Sequence, residues 1–304
     1  MAGRRRSSFI TPPGTTPTRE PRLAPTPTLI QAHVRAARDA GQYHHAEQLA
    51  RAAVARIERR RGRNAVELAI WLNELGMIGK YRGTFVDAEE AYRRALVIYQ
   101  QHGESASTSV ASLMHNLAGL AHAKGDPEAA EPLARRGLAI REALAVPDPR
   151  AVAEDKAALA AILIDLGHLD EADAMLREAL RSYERTYGPV HYEIATTLHN
   201  LGSLQYRNGN WPQATDTLRT ARDMKISLLG SEHPDVAITL HNLGCCATKL
   251  GDTISAQESF TAAIEVLRLA VDPSHPTLLS CRTKLDQLRG DIDLSATSAP
   301  SRPA

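Results

Sequence analysis

The sequence predicts an all-α solenoid, in which pairs of antiparallel helices stack one after another along the chain. The segment Ala195–Gly202 (ATTLHNLG) returns almost unchanged as Ala237–Gly244 (AITLHNLG), 42 residues later. Alanines and glycines recur at the same period, with each glycine five residues before an alanine. A fixed period between 20 and 50 residues is the sequence signature of a solenoid. The alanine column is Ala46, Ala88, Ala130, Ala172, Ala214 and Ala256, and these alanines are expected to be buried where the two helices of a unit cross. The glycine column is Gly41, Gly83, Gly125, Gly167, Gly209 and Gly251.

Composition limits the class of protein. Of the 304 residues, 43% are hydrophobic but only 4% are aromatic, so the core must be built from small and aliphatic side chains. Three cysteines fit a reducing compartment better than a disulfide scaffold. No apolar run approaches the ~20 residues that a spanning helix needs. We therefore expect a cytoplasmic protein without a membrane span, and an elongated array whose units contact only their neighbours.

The two ends of the chain have a different composition. Residues 1–27 are rich in proline, serine and threonine and are expected to form a disordered arm, as is a tail at 291–304. Residues 1–63 carry a net charge of +9 and the remainder −8. This asymmetry indicates an acidic partner at the N-terminal end, such as nucleic acid, or else solvated helix faces.

Between these ends, each unit is predicted to contain two helices joined by a tight turn. In the fifth unit Leu198 and Leu201 follow helical spacing, Gly209 ends the helix, and Trp211 opens the next. A last helix with polar residues on its outer face is expected to cap the array. The solenoid is placed at 28–290, with units at 28–63, 64–105, 106–147, 148–189, 190–231 and 232–273 and the cap at 274–290.

The repeat resembles the tetratricopeptide repeat, and its length and His-Pro junction resemble the kinesin light chain subtype. The best matching stretches are Ser231–Gly244 for a first helix and Gly125–Arg141 for a second helix. The composition is typical of a bacterial protein. The resemblance implies a right-handed superhelix that binds other proteins, and it covers residues 28–290.

In this family the first helices line a concave groove, where an asparagine often holds the backbone of an extended peptide. The matching asparagines here are Asn116, Asn200 and Asn242. An amide offers a donor and an acceptor together, which suits a peptide unit of any sequence. Alternatively, these residues only solvate or cap a helix. Units two and four depart from the pattern, with Glu74 and Ala158 in this column.

Histidines precede the asparagines at His115, His199 and His241, and we expect them to orient a ligand together with Arg207 and Lys249. His241 and Cys245 could start a metal site, but neighbouring first helices are about 10 Å apart, so we expect no metal.

No nucleophile elbow, Gly-rich phosphate loop, zinc-protease helix or paired-cysteine site is present, so neither catalysis nor a cofactor is expected. The predicted function is a scaffold that binds a protein or peptide. The alternative is a regulatory sensor that binds a signalling peptide or small ligand while its basic end contacts nucleic acid. The sequence gives no oligomeric state.

Overall fold

The computed structural model describes residues 27–103 and 107–297, with side chains for 29–103 and 107–290. The described residues form thirteen α-helices and no strand, so the predicted all-α class is confirmed. The helices are α1 (Pro27–Asp39), α2 (Tyr43–Arg61), α3 (Val66–Arg82), α4 (Phe85–Gln101), α5 (Thr108–Ala123), α6 (Pro127–Glu142), α7 (Pro149–Leu166), α8 (Leu169–Tyr187), α9 (Tyr192–Arg207), α10 (Trp211–Leu229), α11 (Pro234–Lys249), α12 (Thr253–Ala270) and α13 (Pro276–Thr297).

Each of the six expected units contains one helix pair, and α13 follows at the position expected for the cap. The arm expected at 1–27 lies outside the described residues except for Pro27, which begins α1. The tail expected at 291–304 is wrong for its first residues, since α13 continues to Thr297. No residue that commonly ends a helix stops α13 at the expected boundary, because Gly290 stays helical and the next proline is Pro300. The residues after Thr297 lie outside the described part of the chain.

The two repeated columns set the geometry of each pair. All six residues of the glycine column have a positive φ, between 71° and 96°, so each reverses the chain at the end of a first helix. All six residues of the alanine column are at most 1% exposed, which confirms the predicted burial at the helix crossing. The small side chain there lets the second helix approach the first.

A second close approach explains the Leu-Gly pair of the repeat. The glycine in the first helix receives a large side chain from the second helix of the same unit. A Cβ on Gly202 would lie 2.6 Å from Leu218 Cγ, and one on Gly244 would lie 2.7 Å from the Phe260 ring. Gly76 receives the Tyr92 ring in the same way, so three of the six units join their two helices by one large side chain packed on a glycine.

The two ends of the array touch, with the first two units against the sixth unit and α13, so the expectation that units contact only their neighbours is wrong. Gly41 packs against His233 and Gly83 packs against His275, and both pairs are 192 residues apart. The Asp272 backbone N–H also donates to the Arg82 carbonyl oxygen at 2.8 Å. Small rotations between successive units add up until the array returns on itself after four to five units. The apolar core accordingly includes residues from both ends of the array, such as Leu72 and Phe260.

Candidate functional site

The first helices of the units line the inside of this closed superhelix, and two cavities lie along them. The groove cavity has a volume of about 410 Å³ and is lined by α5, α7, α9, α10, α11 and α13. The central cavity has a volume of about 640 Å³ and is lined by both ends of the array. Asn200 lines both, so the two cavities adjoin at this residue.

Five of the eight sequence-predicted site residues line the groove cavity. They are Asn200, Asn242, His199, His241 and Arg207. The Asn242 amide nitrogen donates to Ser203 Oγ at 3.0 Å and lies 3.3 Å from His199 Nε2. The amide nitrogen of Asn200 lies 3.5 Å from the Ala157 carbonyl oxygen. Each asparagine therefore reaches back to the preceding unit with its nitrogen.

The other three residues lie elsewhere. Asn116 is only 7% exposed and donates to Asn73 Oδ1 at 2.8 Å. His115 lines the central cavity, where its Nδ1 lies 2.8 Å from Asp155 Oδ1. Lys249 belongs to neither lining, and its ammonium lies 6.0 Å from the centre of the Trp211 ring. The periodic columns therefore divide between different environments.

The two groove histidines are neutral parts of the wall. Burial and the nearby Lys225 hold the pKa of His199 well below its usual range, and burial lowers the pKa of His241. His199 Nδ1 lies 3.2 Å from Thr239 Oγ1, and His241 Nε2 lies 2.9 Å from Ser280 Oγ. At neutral pH these rings offer hydrogen bonds rather than charge.

Cys245 Sγ lies 3.8 Å from His241 Nε2, which is the pair considered for a metal. Burial raises the pKa of the Cys245 thiol, so it stays protonated. Within residues 27–103 and 107–297, no group of three or more His, Cys, Asp and Glu is placed to hold a metal ion.

The rim of the groove cavity carries three further groups that the sequence analysis missed: His122, Asp165 and Lys284. Arg207 donates to Asp165 at 2.7 Å, and His122 binds the same carboxylate at 2.8 Å. Hydrogen bonds from His122 and then Arg207 lower the pKa of Asp165. The Lys284 ammonium lines the cavity without an ion pair to any described carboxylate. Asp165 and Arg207 are 42 residues apart, so they occupy equivalent positions in successive units, and a comparison of those positions in the sequence would have found this pair.

Family models cover most of the described chain. One model, the MalT-like TPR region, matches residues 28–197, which is more than half of the chain. A second, the tetratricopeptide repeat, matches residues 193–268. The chain belongs to the tetratricopeptide repeat family. This confirms the repeat type predicted from the 42-residue period.

Solved structures share the fold of this tetratricopeptide repeat protein. A Rap protein complexed with Competence and Sporulation Factor has a TM-score of 0.60 at 12% identity, covering 87% of this chain and 75% of that one. The Rap conjugation gene regulator of plasmid pLS20, in complex with the Phr* peptide, has a TM-score of 0.58 at 17% identity, covering 76% and 67%.

A kinesin light chain of Podosopora anserina with nearly identical TPR-like repeats also matches. It is 22% identical, covers 64% of this chain and 92% of that one, and has a TM-score of 0.46. No curated protein matches the chain. None of the described helices is both long and apolar enough to cross a membrane.

Proposed function

We propose that this tetratricopeptide repeat protein is a protein-interaction scaffold that captures a peptide segment of a partner in the groove cavity. One observation carries the proposal: Asn200 and Asn242, from adjacent units, line the same cavity. Neutral imidazoles stand beside both amides. A peptide that lies across α9 and α11 would therefore meet repeated polar groups at the spacing of one unit.

The hydrogen-bonding capacity of Asn200 supports this role. Its amide nitrogen has a partner in the preceding unit, but its Oδ1 accepts no hydrogen bond from a described residue. A free amide oxygen in a cavity wall is suited to accept a peptide N–H. Lys284 on the rim adds a positive charge, which favours an acidic side chain or a terminal carboxylate of the peptide, whereas the charge of Arg207 is balanced by Asp165. A structure with this fold holds the Phr* peptide, which adds support.

The test is a selection from a random peptide display library on the purified chain. We expect enriched peptides whose affinity falls in the double variant Asn200→Ala plus Asn242→Ala. Each lost amide should cost about 1–3 kcal/mol, because a peptide group is left unpaired. Circular dichroism should show unchanged helix content, since alanine is the better helix former.

Asn210→Ala is the matched control, because Asn210 is exposed and binds Gln213 away from both cavities. Peptides that bind the double variant as tightly as the wild type would place the binding surface outside the groove cavity. An equal loss of peptide binding in Asn210→Ala would show that the effect of the double variant does not come from the groove cavity.

The regulatory alternative stays a second proposal, in which an acidic partner meets the basic N-terminal end. Arg59, Arg60 and Arg61 form the exposed last turn of α2 and support it. Binding of a DNA duplex that disappears when these three arginines are changed to glutamine would favour it. Retention of DNA binding by that triple variant would remove this surface from consideration.

A further inference from the structure

The central cavity exists because the two ends of the array meet. Its walls include Asp39 and Tyr43 from the first unit, Glu193 from the fifth and Asp235 from the sixth. At about 640 Å³ it has the size of a small-molecule pocket. It is distinct from the groove cavity, and the proposed capture of a peptide does not use it.

Its charge is strongly one-sided. Three carboxylates line it from the first helices of successive units: Glu154, Glu193 and Asp235. Arg38, the only arginine or lysine among the described lining residues, already pairs with Glu74 at 2.7 Å and with Asp39 at 2.8 Å.

Two lysines lie near Asp235, and their charges act on that carboxylate rather than on Glu154 or Glu193. Lys225 donates to the backbone oxygen of Asp235 at 3.3 Å and to Thr239 Oγ1 at 3.2 Å. Lys80 lies over the Tyr81 ring at 4.7 Å, and burial lowers its pKa to about 8. Neither forms an ion pair with Glu154 or Glu193.

Glu193 is the carboxylate with the fewest partners. It is partly buried, and no described residue donates a hydrogen bond to its carboxylate. Burial, with the like charges of Glu154 and Asp235, raises the pKa of Glu193 to about 7. Surrounded by other carboxylates, Glu193 has no counter-ion within the protein. A cation from outside the protein would remove the free-energy cost of ionising it.

A second, independent feature points to a ligand. Tyr183 lines the cavity, is 0% exposed, and its hydroxyl has no hydrogen-bond partner in the described structure. Thr196 Oγ1, also in the lining, is orphaned in the same way. Buried hydroxyls are normally paired, so an unpaired one in a cavity wall indicates a missing partner. A hydroxyl oxygen accepts a hydrogen bond from an N–H donor.

Three further tyrosines, Tyr43, Tyr81 and Tyr192, line the cavity. Tyr43 and Tyr81 stack at a centroid distance of 5.7 Å, and the Tyr192 hydroxyl donates to the Asp235 carboxylate. Tyrosine faces attract cations through the ring quadrupole. Acid groups, orphaned acceptors and aromatic faces therefore converge in one cavity.

We propose that the central cavity binds an organic cation, through a primary ammonium or guanidinium group that pairs with Glu193 and Glu154 and donates to Tyr183. A metal ion fits less well, since the described residues hold no group of three metal-ligating side chains. An anion would face three carboxylates. The cation can be a free amine, or a lysine or arginine side chain of a bound peptide that reaches past Asn200 from the groove cavity.

The test is isothermal titration calorimetry on the full chain with two probes, spermidine and a capped Ala-Lys-Ala peptide. Capped Ala-Gln-Ala is the neutral control. We expect saturable binding of at least one cationic probe, reduced about tenfold or more by Glu193→Gln, because the ion pair is lost. Glu265→Gln removes the same charge from an exposed position outside this cavity and should leave binding unchanged.

The two probes separate the sources of the cation. Binding of spermidine assigns a free amine, and binding of the lysine peptide alone assigns a side chain. Binding should also be tighter near pH 8 than near pH 6, because Glu193 must be ionised to pair with the cation. Glu154→Gln is the second variant and should weaken binding in the same direction.

Three results would overturn the proposal. Neither cationic probe binds the wild-type chain; or the glutamine peptide binds as tightly as the lysine peptide; or Glu193→Gln and Glu154→Gln, both folded by circular dichroism, bind as the wild type does.

Discussion

His233 Nε2 lies 3.0 Å from the backbone carbonyl oxygen of Asp39, although the two residues are 194 positions apart. The other ring nitrogen, Nδ1, accepts a hydrogen bond from the Asp235 backbone N–H at 3.1 Å. Because Nδ1 is an acceptor here, Nε2 carries the proton and donates to Asp39. One imidazole thus caps α11 and ties the sixth unit to the first.

Replacing His233 with alanine should therefore both destabilise the chain and open it. The loss of the cap and of the long-range hydrogen bond should lower the free energy of unfolding by about 1–3 kcal/mol. Small-angle scattering should show a larger radius of gyration. His191→Ala is the control, since His191 caps α9 at 3.3 Å but stacks on Tyr187 within its own junction. An unchanged radius in His233→Ala would mean that closure does not depend on this contact.

Gly41→Ala tests the same closure from the opposite side. The new Cβ would lie 2.6 Å from Pro234 Cδ, so the two ends of the array must move apart. Gly125→Ala is a close control: its φ is +81° against +71° at Gly41, but no atom lies within 4 Å of its new Cβ. Both variants should pay for the left-handed backbone conformation, about 1 kcal/mol or more.

Only Gly41→Ala should also expand the molecule and expose the α1–α2 turn to a protease. The measurements are thermal unfolding, scattering and limited proteolysis on both variants. Equal unfolding temperatures and equal radii for the two variants would contradict the contact between Gly41 and Pro234.

Ala172→Leu tests the alanine column. Ala172 is 0% exposed at the crossing of α7 and α8, so a leucine there should overpack the unit and cost about 1–3 kcal/mol of unfolding free energy. Ala174→Leu is the control, because Ala174 lies in the same helix but is exposed. Chemical denaturation of both variants measures the difference. If Ala172→Leu unfolds at the wild-type midpoint, the register assigned to the repeat is wrong.

These cases show which parts of the structure follow from the sequence. The repeat period predicted the helix pairs and the burial of Ala172, because both are decided within one unit. Closure is not decided within a unit. The contact between His233 and Asp39 arises from small rotations summed over several units. The sequence of a single unit does not determine this sum.

The candidate site divides in the same way. Stacking of equivalent positions places Asn200 and Asn242 in one cavity, as the columns predicted. Whether an asparagine amide is available to a ligand depends on its neighbours, and the Asn116 amide already donates a hydrogen bond to Asn73. Glu193 and Asp235 are also one period apart, at the start of α9 and α11. In sequence they look like ordinary acidic first turns, and only closure makes them face a cavity.

The pH dependence of stability gives a last test, at Glu193. Below its ordinary pKa of 4.5, this carboxyl is protonated in both the folded and the unfolded chain and contributes nothing to pH dependence. Between 4.5 and about 7, it is ionised in the unfolded chain but still protonated in the folded one. Folding then takes up a proton, so stability falls as the pH rises, and the loss is complete above about 7.

Glu193→Gln removes this titration while keeping the size of the side chain. Its unfolding temperature should match that of the wild type near pH 4 and exceed it near pH 8, since only the wild type then holds a partly buried charge without a counter-ion. Glu265→Gln, at an exposed position, should show no such divergence. Thermal unfolding across this pH range measures both. A constant difference between Glu193→Gln and the wild type at all pH values would mean that Glu193 titrates normally in the folded chain.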